Sequence, residues 1–421
     1  MGMLFLDSGV LPHQGSGGLA HGRKKSITAT GSAFATNATL RTSEAVAIID
    51  HFECSNCGDR LSAEEARTVC PRDGGPLYVL YDFTAVRGQA KRPSPNNAAK
   101  GVWRYSAVLP DAEPVTRGEG LTPLLRCRKH SKLFIKDEGV NPTGSCEARG
   151  MSVAVSMARH YGRKGVAIYS GGDAAVATAA YSAAAGLKAK VFLPNDAPFS
   201  LRAEVEAFGA EITLVDGEVG DCHDWMTSFQ SGNDWVDLSA SEEPFRVEGL
   251  KTIGYEIAED LGWRLPDAVL CVHGDGRLPR AIGKAFVELG QLEWIDTGRA
   301  GCIISLSINN NTLESNVTHE VMCAPGIPGE PPIEISNSEM MSRVKELATE
   351  DGILVSPEGG AAMAGYKSLL NRGAVKESDE IILINPASGY KHFHLGTADV
   401  ASRVRLKLPA SRNIGGIIGP Y

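Results

Sequence analysis

LFIKDEGVNPTGSCEARGMSVAVSMA, residues 133–158, decides the reading of the whole chain. From here the sequence alternates short β-branched or apolar runs with helical stretches. Val166–Tyr169 is strand-like, and GGDAAVATAAYSAAAG (171–186) reads as a loop running into an alanine-rich helix. Lys190–Leu193 is strand-like, Ser200–Phe208 helical and Ile212–Val215 strand-like. Ala268–Val272, Ile303–Ile308 and Ile381–Ile384 continue the series. Short strands separated by helices imply an α/β fold with doubly wound parallel sheets. Ligands of such sheets sit outside the carboxyl ends of the strands, so the loops directly after strands are where chemistry is expected. No internal repeat breaks the order.

Towards the N-terminus the pattern changes. Cys54-x-x-Cys57 followed by Cys70-Pro71-Arg72-Asp73-Gly74-Gly75 has the outline of a zinc ribbon. A closed tetrahedral site needs four ligands, and a fourth cysteine is missing. Cys54, Cys57 and Cys70 completed by Asp73 or by His51 are compatible with a structural zinc, and equally with a ribbon-shaped knuckle that holds no metal. Neither form is catalytic, because a closed site keeps no open position. Residues 1–45 are rich in Gly, Ser, Thr and Ala without periodicity and read as a flexible tail.

The 421 residues allow two or three domains. Hydrophobic residues make up 43% and charged residues 22%, ordinary values for a globular protein. A net charge of -8 gives no electrostatic reason to expect nucleic acid or an anionic membrane as partner. No apolar run reaches membrane-spanning length, and the N-terminus lacks the basic region of a signal peptide. The 9 cysteines show no regular pairing, which points to a reducing, cytoplasmic setting.

The opening segment resembles the cofactor-lysine segment of threonine synthases, members of the fold-type II, pyridoxal-phosphate (PLP) dependent, tryptophan-synthase β group. The resemblance continues in order through VAIYSGGDAAVATAAYSAAAGLKAKVFLP, AEVEAFGAEITLVDG, PFRVEGLKTIGYEIAEDLGWRLPDAVL, LVSPEGGAAMAGYKSLL and LINPASGYK, covering roughly residues 50–395. It implies two doubly wound α/β domains with the active site between them, a zinc-ribbon-like N-terminal extension, and a homodimer. The expected division is a tail over 1–45, the ribbon over 46–85, a large domain from 86–132 and 246–421, and a small domain over 133–245.

Where the family reads S-F-K-A-R-G, with the lysine that forms the Schiff base, this chain reads Ser145-Cys146-Glu147-Ala148-Arg149-Gly150. A carboxylate cannot form an imine. Where the family's S-x-G-N-x-G loop meets cofactor and substrate carboxylate, this chain has Ser170-Gly171-Gly172-Asp173-Ala174-Ala175. The family's glycine-rich phosphate cradle aligns with His273-Gly274-Asp275-Gly276-Arg277-Leu278-Pro279-Arg280, where a carboxylate repels phosphate and Pro279 removes a donor. Near the cofactor's pyridine nitrogen stands Asn385-Pro386-Ala387-Ser388-Gly389.

Acids at Glu147, Asp173 and Asp275 therefore predict a chain that binds no PLP and whose cleft clusters carboxylates of raised pKa, suited to general acid/base work. The expected catalytic set is Glu147, Asp173 and Asp275. Ser145, Ser170, Gly171, Gly172, Ala174, His273, Arg277 and Ser388 are expected to bind a small-molecule substrate. Cys146 reads as core, His392 and His394 as loop histidines at the rim, and Glu358 as structural or pocket-lining. The function expected is a PLP-independent lyase, isomerase or cyclase, for a small, natural-product-like substrate that carries its own activating group. The alternatives are an inactive homologue that binds a partner and a PLP-dependent threonine-synthase-like lyase.

Overall fold

A computed structural model describes residues 49–65, 67–88, 90–94, 101–230, 234–239, 243–273, 276–295, 301–307, 318–322 and 335–395. The tail expected over 1–45 lies outside the described residues. The strands are β1 (Ile49–Cys54), β2 (Arg60–Leu61), β3 (Leu77–Tyr81), β4 (Leu124–Arg126), β5 (Leu133–Asp137), β6 (Gly165–Tyr169), β7 (Lys188–Pro194), β8 (Glu211–Val215), β9 (Trp235–Asp237), β10 (Ala268–His273), β11 (Cys302–Ser307), β12 (Thr318–Met322) and β13 (Ile381–Asn385). The helices are α1 (Phe83–Val86), α2 (Glu147–His160), α3 (Asp173–Ala185), α4 (Phe199–Ala207), α5 (Val219–Gln230), α6 (Pro244–Leu250), α7 (Thr252–Asp260), α8 (Arg277–Gln291), α9 (Asn337–Glu350) and α10 (Pro357–Arg372).

Three sheets result. A four-stranded sheet, β8-β7-β6-β9, is parallel throughout. A six-stranded sheet runs β12-β11-β10-β13-β5-β4. Its four inner strands are parallel and its two edges antiparallel. Strand β13, IILIN, is buried at every residue, as a strand covered on both faces must be. Two expectations are corrected here. The larger sheet is mixed, because β4 returns to β5 through a short connection that only antiparallel pairing allows. Strand β5 pairs with β13, so Leu133–Asp137 belongs with the six-stranded sheet and the chain crosses to the other sheet after it, not at residue 133.

Helix α2 is buried from Ala148 to Ala158, so it is a core helix, with Arg149, Ser152 and Ser156 as its buried polar residues. It lies against α3 and α6. A side chain on Gly249 would meet the Arg149 carbonyl oxygen at 2.0 Å, and one on Gly150 would meet that of Arg246 at 3.2 Å. The two glycines let α2 and α6 approach closely. Buried behind this crossing is a charge network. The Arg149 guanidinium donates to Glu138 at 2.6 and 2.9 Å and to Glu256 at 2.7 Å twice. The Lys136 ammonium lies 3.0 Å from Glu256 and 2.9 Å from Asp260. Arg149 is thus a scaffold residue turned away from the cleft acids.

The expected ribbon is a small antiparallel sheet, β2-β1-β3. Phe52 packs edge-on against Phe245 of α6 at 5.8 Å. The Tyr81 hydroxyl donates to Glu248 of α6 at 2.7 Å, while Lys251 and Lys284 sit over its ring at 4.4 and 4.8 Å. Cys302 is disulfide-bonded, while Cys54, Cys57, Cys70, Cys127, Cys146, Cys222 and Cys271 are free thiols. Among the described residues no helix is long and apolar enough to cross a membrane.

Candidate functional site

A cavity of about 670 Å³ opens at the carboxyl ends of the parallel strands. Its walls come from the segment leading into α2, from the loop after β6, from the start of α8 after β10, and from the turn after β13. The sequence dictates these placements locally. Glu147 and Asp173 each fall in the first turn of a helix, where an acid faces the positive end of the helix dipole. Thr143 and Gly144 take positive φ (64° and 70°), which folds the chain back so that Gly144 O accepts from Ser388 N at 2.8 Å and Cys146 N donates to Pro386 O at 2.8 Å. The strand-end turn of β13 is thereby fastened to the start of α2.

Glu147 is held by arginines. Arg246, itself fully buried, donates to its Oε2 at 2.6 Å, and an Arg277 nitrogen lies 3.6 Å from Oε1. Arg246 is fixed in turn, donating from its side chain to Leu238 O at 2.8 Å and from its backbone N–H to Glu243 at 2.7 Å. Asp173 faces a different cation: Lys391 Nζ lies 3.0 Å from Asp173, 3.0 Å from Glu204 and 2.9 Å from Thr143 O. Burial raises the Asp173 carboxyl above the usual carboxylate range even though Lys391 pulls it down. Lys391 is pushed above its ordinary range by Asp173 and Glu204, against burial. The Cys146 thiol, buried but lining the same cavity, is raised far above its ordinary value by burial and then by Glu147.

The predicted residues Ser145, Glu147, Ser170, Gly171, Gly172, Asp173, Ala174 and Arg277 line this one cavity. Ser388 does not line it; its hydroxyl accepts from Tyr390 N at 3.3 Å in its own turn. Asp275 and Gly274 lie outside the described residues, as do the side chains of His273 and His394. His392 and Glu358 line the cavity. Two buried acceptors or donors there, Ser145 Oγ and Glu358 Oε2, have no hydrogen-bond partner among the described residues. Sequence reasoning missed Arg246, Lys391 and Glu204. One signal existed for Arg246, a basic residue in the otherwise apolar start of PFRVEGL; Lys391 in SGYKHF carried none. Glu147 is met by Arg246 and Arg277, and Asp173 shares Lys391 with Glu204.

Comparison with known proteins places this geometry. Residues 115–387 match the family described as pyridoxal-phosphate dependent enzyme. The threonine synthase of Methanocaldococcus jannaschii is 31% identical over 378 residues, covering 80% of this chain and 92% of the relative. That of Methanosarcina acetivorans is 30% identical over 368 residues, 79% and 90% of the two chains. Among solved structures, serine racemase from Dictyostelium discoideum (17% identity, TM-score 0.52, 64% of this chain and 92% of that one) shares the fold. So does a fungal L-serine ammonia-lyase from Rhizomucor miehei (17%, TM-score 0.52, 65% and 96%).

These matches correct the expectation that the chain has no place for PLP. That expectation rested on the missing lysine at 147 and on acids at 147, 173 and 275, the last in the aligned phosphate cradle. In the folded chain Glu147 is matched by Arg246 and Arg277 and Asp173 by Lys391, while Asp275 lies outside the described residues. Position 147 itself does not fit covalent attachment of the coenzyme, because it presents a carboxylate bonded to Arg246 and no amine. With the family match spanning more than half its length and threonine synthases aligned over most of it, the chain belongs to the pyridoxal-phosphate dependent enzyme family.

Proposed function

We propose that the cleft is an enzyme site for acid/base chemistry of the lyase or isomerase type on a small, amino-acid-like substrate, on a threonine-synthase-like scaffold. The observation that carries this reading is the convergence of Glu147, Asp173 and Lys391 on one cavity at the strand ends. The start of α3 has no side-chain cap at Gly172, so the backbone N–H groups that follow it are suited to a substrate carboxylate. Ser145 Oγ and Glu358 Oε2 supply buried polar atoms that a bound molecule would satisfy. Glu147 is the preferred acid/base. Arg246 holds the Oε2 of Glu147 at 2.6 Å and an Arg277 nitrogen lies 3.6 Å from Oε1, so the carboxylate is oriented towards the cavity it lines. The Asp173–Lys391 pair orients a substrate ammonium or hydroxyl and holds a second proton.

The test uses Glu147→Gln, which keeps shape and removes the carboxylate, with L-threonine and L-serine as calorimetric probes and as substrates in a product assay. Retained binding with turnover lowered by about 100-fold or more is expected; unchanged turnover removes Glu147 from the chemistry. A second reading, an inactive homologue that binds a partner, is favoured by one observation: the Glu147–Arg246 pair is as well suited to joining α2 to α6 as to moving protons. Wild-type protein that binds neither amino acid but co-purifies stoichiometrically with an active homologue supports that reading over the first.

A further inference from the structure

We propose that Cys54, Cys57, Cys70 and Asp73 hold one divalent cation of the zinc class through three thiolate sulfurs and one carboxylate oxygen, and that this ion pins the β1–β3 ribbon. The donor atoms of all four residues lie within 4.8 Å of one another. Bond lengths of about 2.3 Å to sulfur and 2.0–2.2 Å to oxygen put the edges of a zinc tetrahedron at roughly 3.8 Å between sulfurs and 3.5 Å between sulfur and oxygen. The Cys57 and Cys70 sulfurs are 3.7 Å apart, and Cys54 Sγ is 3.4 Å from Asp73 Oδ1. The sulfur separation is far beyond a disulfide bond, and all three cysteines are free thiols.

The backbone says which residue is the fourth ligand. Two turns repeat one pattern. Gly58 N donates to Cys54 O at 3.0 Å and Cys54 N to Asp59 O at 2.9 Å; Gly74 N donates to Cys70 O at 2.9 Å and Cys70 N to Gly75 O at 2.9 Å. Gly58 and Gly74 take matching φ values of 71° and 70°. Superposing Cys54-Ser55-Asn56-Cys57-Gly58 on Cys70-Pro71-Arg72-Asp73-Gly74 sets Asp73 where the first turn has Cys57. Gly75 N steadies the carboxylate at 2.9 Å. His51, the rival for the fourth position, is turned away: Nδ1 lies 2.8 Å from Asp50 and Nε2 3.5 Å from Glu53. Four protein ligands fill a tetrahedral shell and leave no open coordination position; Cys54 and Cys70 are buried, Cys57 half-buried and Asp73 exposed.

Full-length protein purified under a phosphine reductant, with metal measured by plasma mass spectrometry, is expected to carry one zinc per chain. Replacing it by Co²⁺ is expected to give the thiolate-to-cobalt charge-transfer band and the visible bands of a tetrahedral ion. Asp73→Ala is expected to raise the zinc dissociation constant roughly 100-fold, one ligand's share of the binding energy. Asp73→Cys is expected to bind at least as tightly as wild type, and His51→Ala to change nothing. Wild-type protein that takes up no Zn²⁺ or Co²⁺ while all three thiols remain reactive overturns the site. Loss of metal in His51→Ala with Asp73→Ala unaffected overturns the ligand assignment. Because the cobalt spectrum is read on the wild-type chain, a variant that fails to fold does not protect the proposal.

Discussion

At the scale of single residues, the cleft shows how little an acid's identity says until its partner is known. Glu147 and Asp173 line one cavity, yet the first is held by Arg246 from 99 residues away and the second by Lys391. Arg149, two positions after Glu147, does something else: it neutralises Glu138 and Glu256 in the interior. Burial alone would raise the Glu256 carboxyl, but Arg149 and Lys136 hold it well below the usual carboxylate range. A depressed folded pKa contributes stability that is complete above about pH 4.3 and is lost as the pH falls through the folded value. Arg149→Met leaves the buried Glu138 without its cation and Glu256 with Lys136 alone, and a loss of about 3–5 kcal/mol is expected in urea unfolding. A change under 1 kcal/mol would mean the network is solvated and not structural. Arg149 is legible in EARG as a retained family residue, but its target is not, because Glu256 lies 107 positions away on α7 and meets it only in the folded chain.

At the scale of elements, α6 is the joint. One helix carries Phe245 towards the ribbon, Arg246 towards Glu147 and Glu248 towards Tyr81. Its N-cap is Glu243, whose carboxylate accepts from Arg246 N at 2.7 Å. Burial pushes this carboxyl up to about 7, although the backbone N–H groups and the charges of Arg246 and Arg277 act to lower it. The sign follows from proton binding. The folded state holds the Glu243 proton at pH values where the unfolded chain has released it, so stability falls as pH rises from about 4.3 towards 7. Glu243→Gln removes that dependence. Relative to wild type it is expected to gain roughly 1–3 kcal/mol between pH 5 and pH 8, seen as a growing difference in Tm. Parallel Tm curves for the two proteins across that range would contradict the assignment. The pattern PFRVEGL predicts a buried helix at once; nothing in it announces three separate tasks.

At the scale of the molecule, the ribbon and the cleft share that helix. Tyr81, under two ammonium groups and bonded to Glu248, is the ribbon's polar anchor, and Phe52 the apolar one. Tyr81→Ala is expected to cost about 2–4 kcal/mol and to expose the connection after β3 to limited proteolysis. The cleft is expected to bind L-threonine or L-serine more weakly in the same variant, since Arg246 lies between the two contacts. Faster proteolysis with unaltered amino-acid binding would show that the ribbon is docked but not coupled.

Much of this was open to reading along the chain. Strand lengths follow from β-branched runs such as IILIN, helix starts from loops such as SGGD, and the ribbon from two cysteine turns, since backbone preference and burial pattern are local properties. The order of motifs was enough to recognise the fold and, from it, the loops that form the cleft. What the tertiary structure alone decided was pairing: which sheet owns β5, which cation meets which acid, and whether His51 or Asp73 joins the three thiols. Those outcomes depend on contacts between residues up to 248 positions apart, where closeness is set by packing and by the need to neutralise buried charge. Of the acids read in sequence as unfavourable to an anionic coenzyme, Glu147 and Asp173 are, once folded, halves of ion pairs, which only their distant partners reveal.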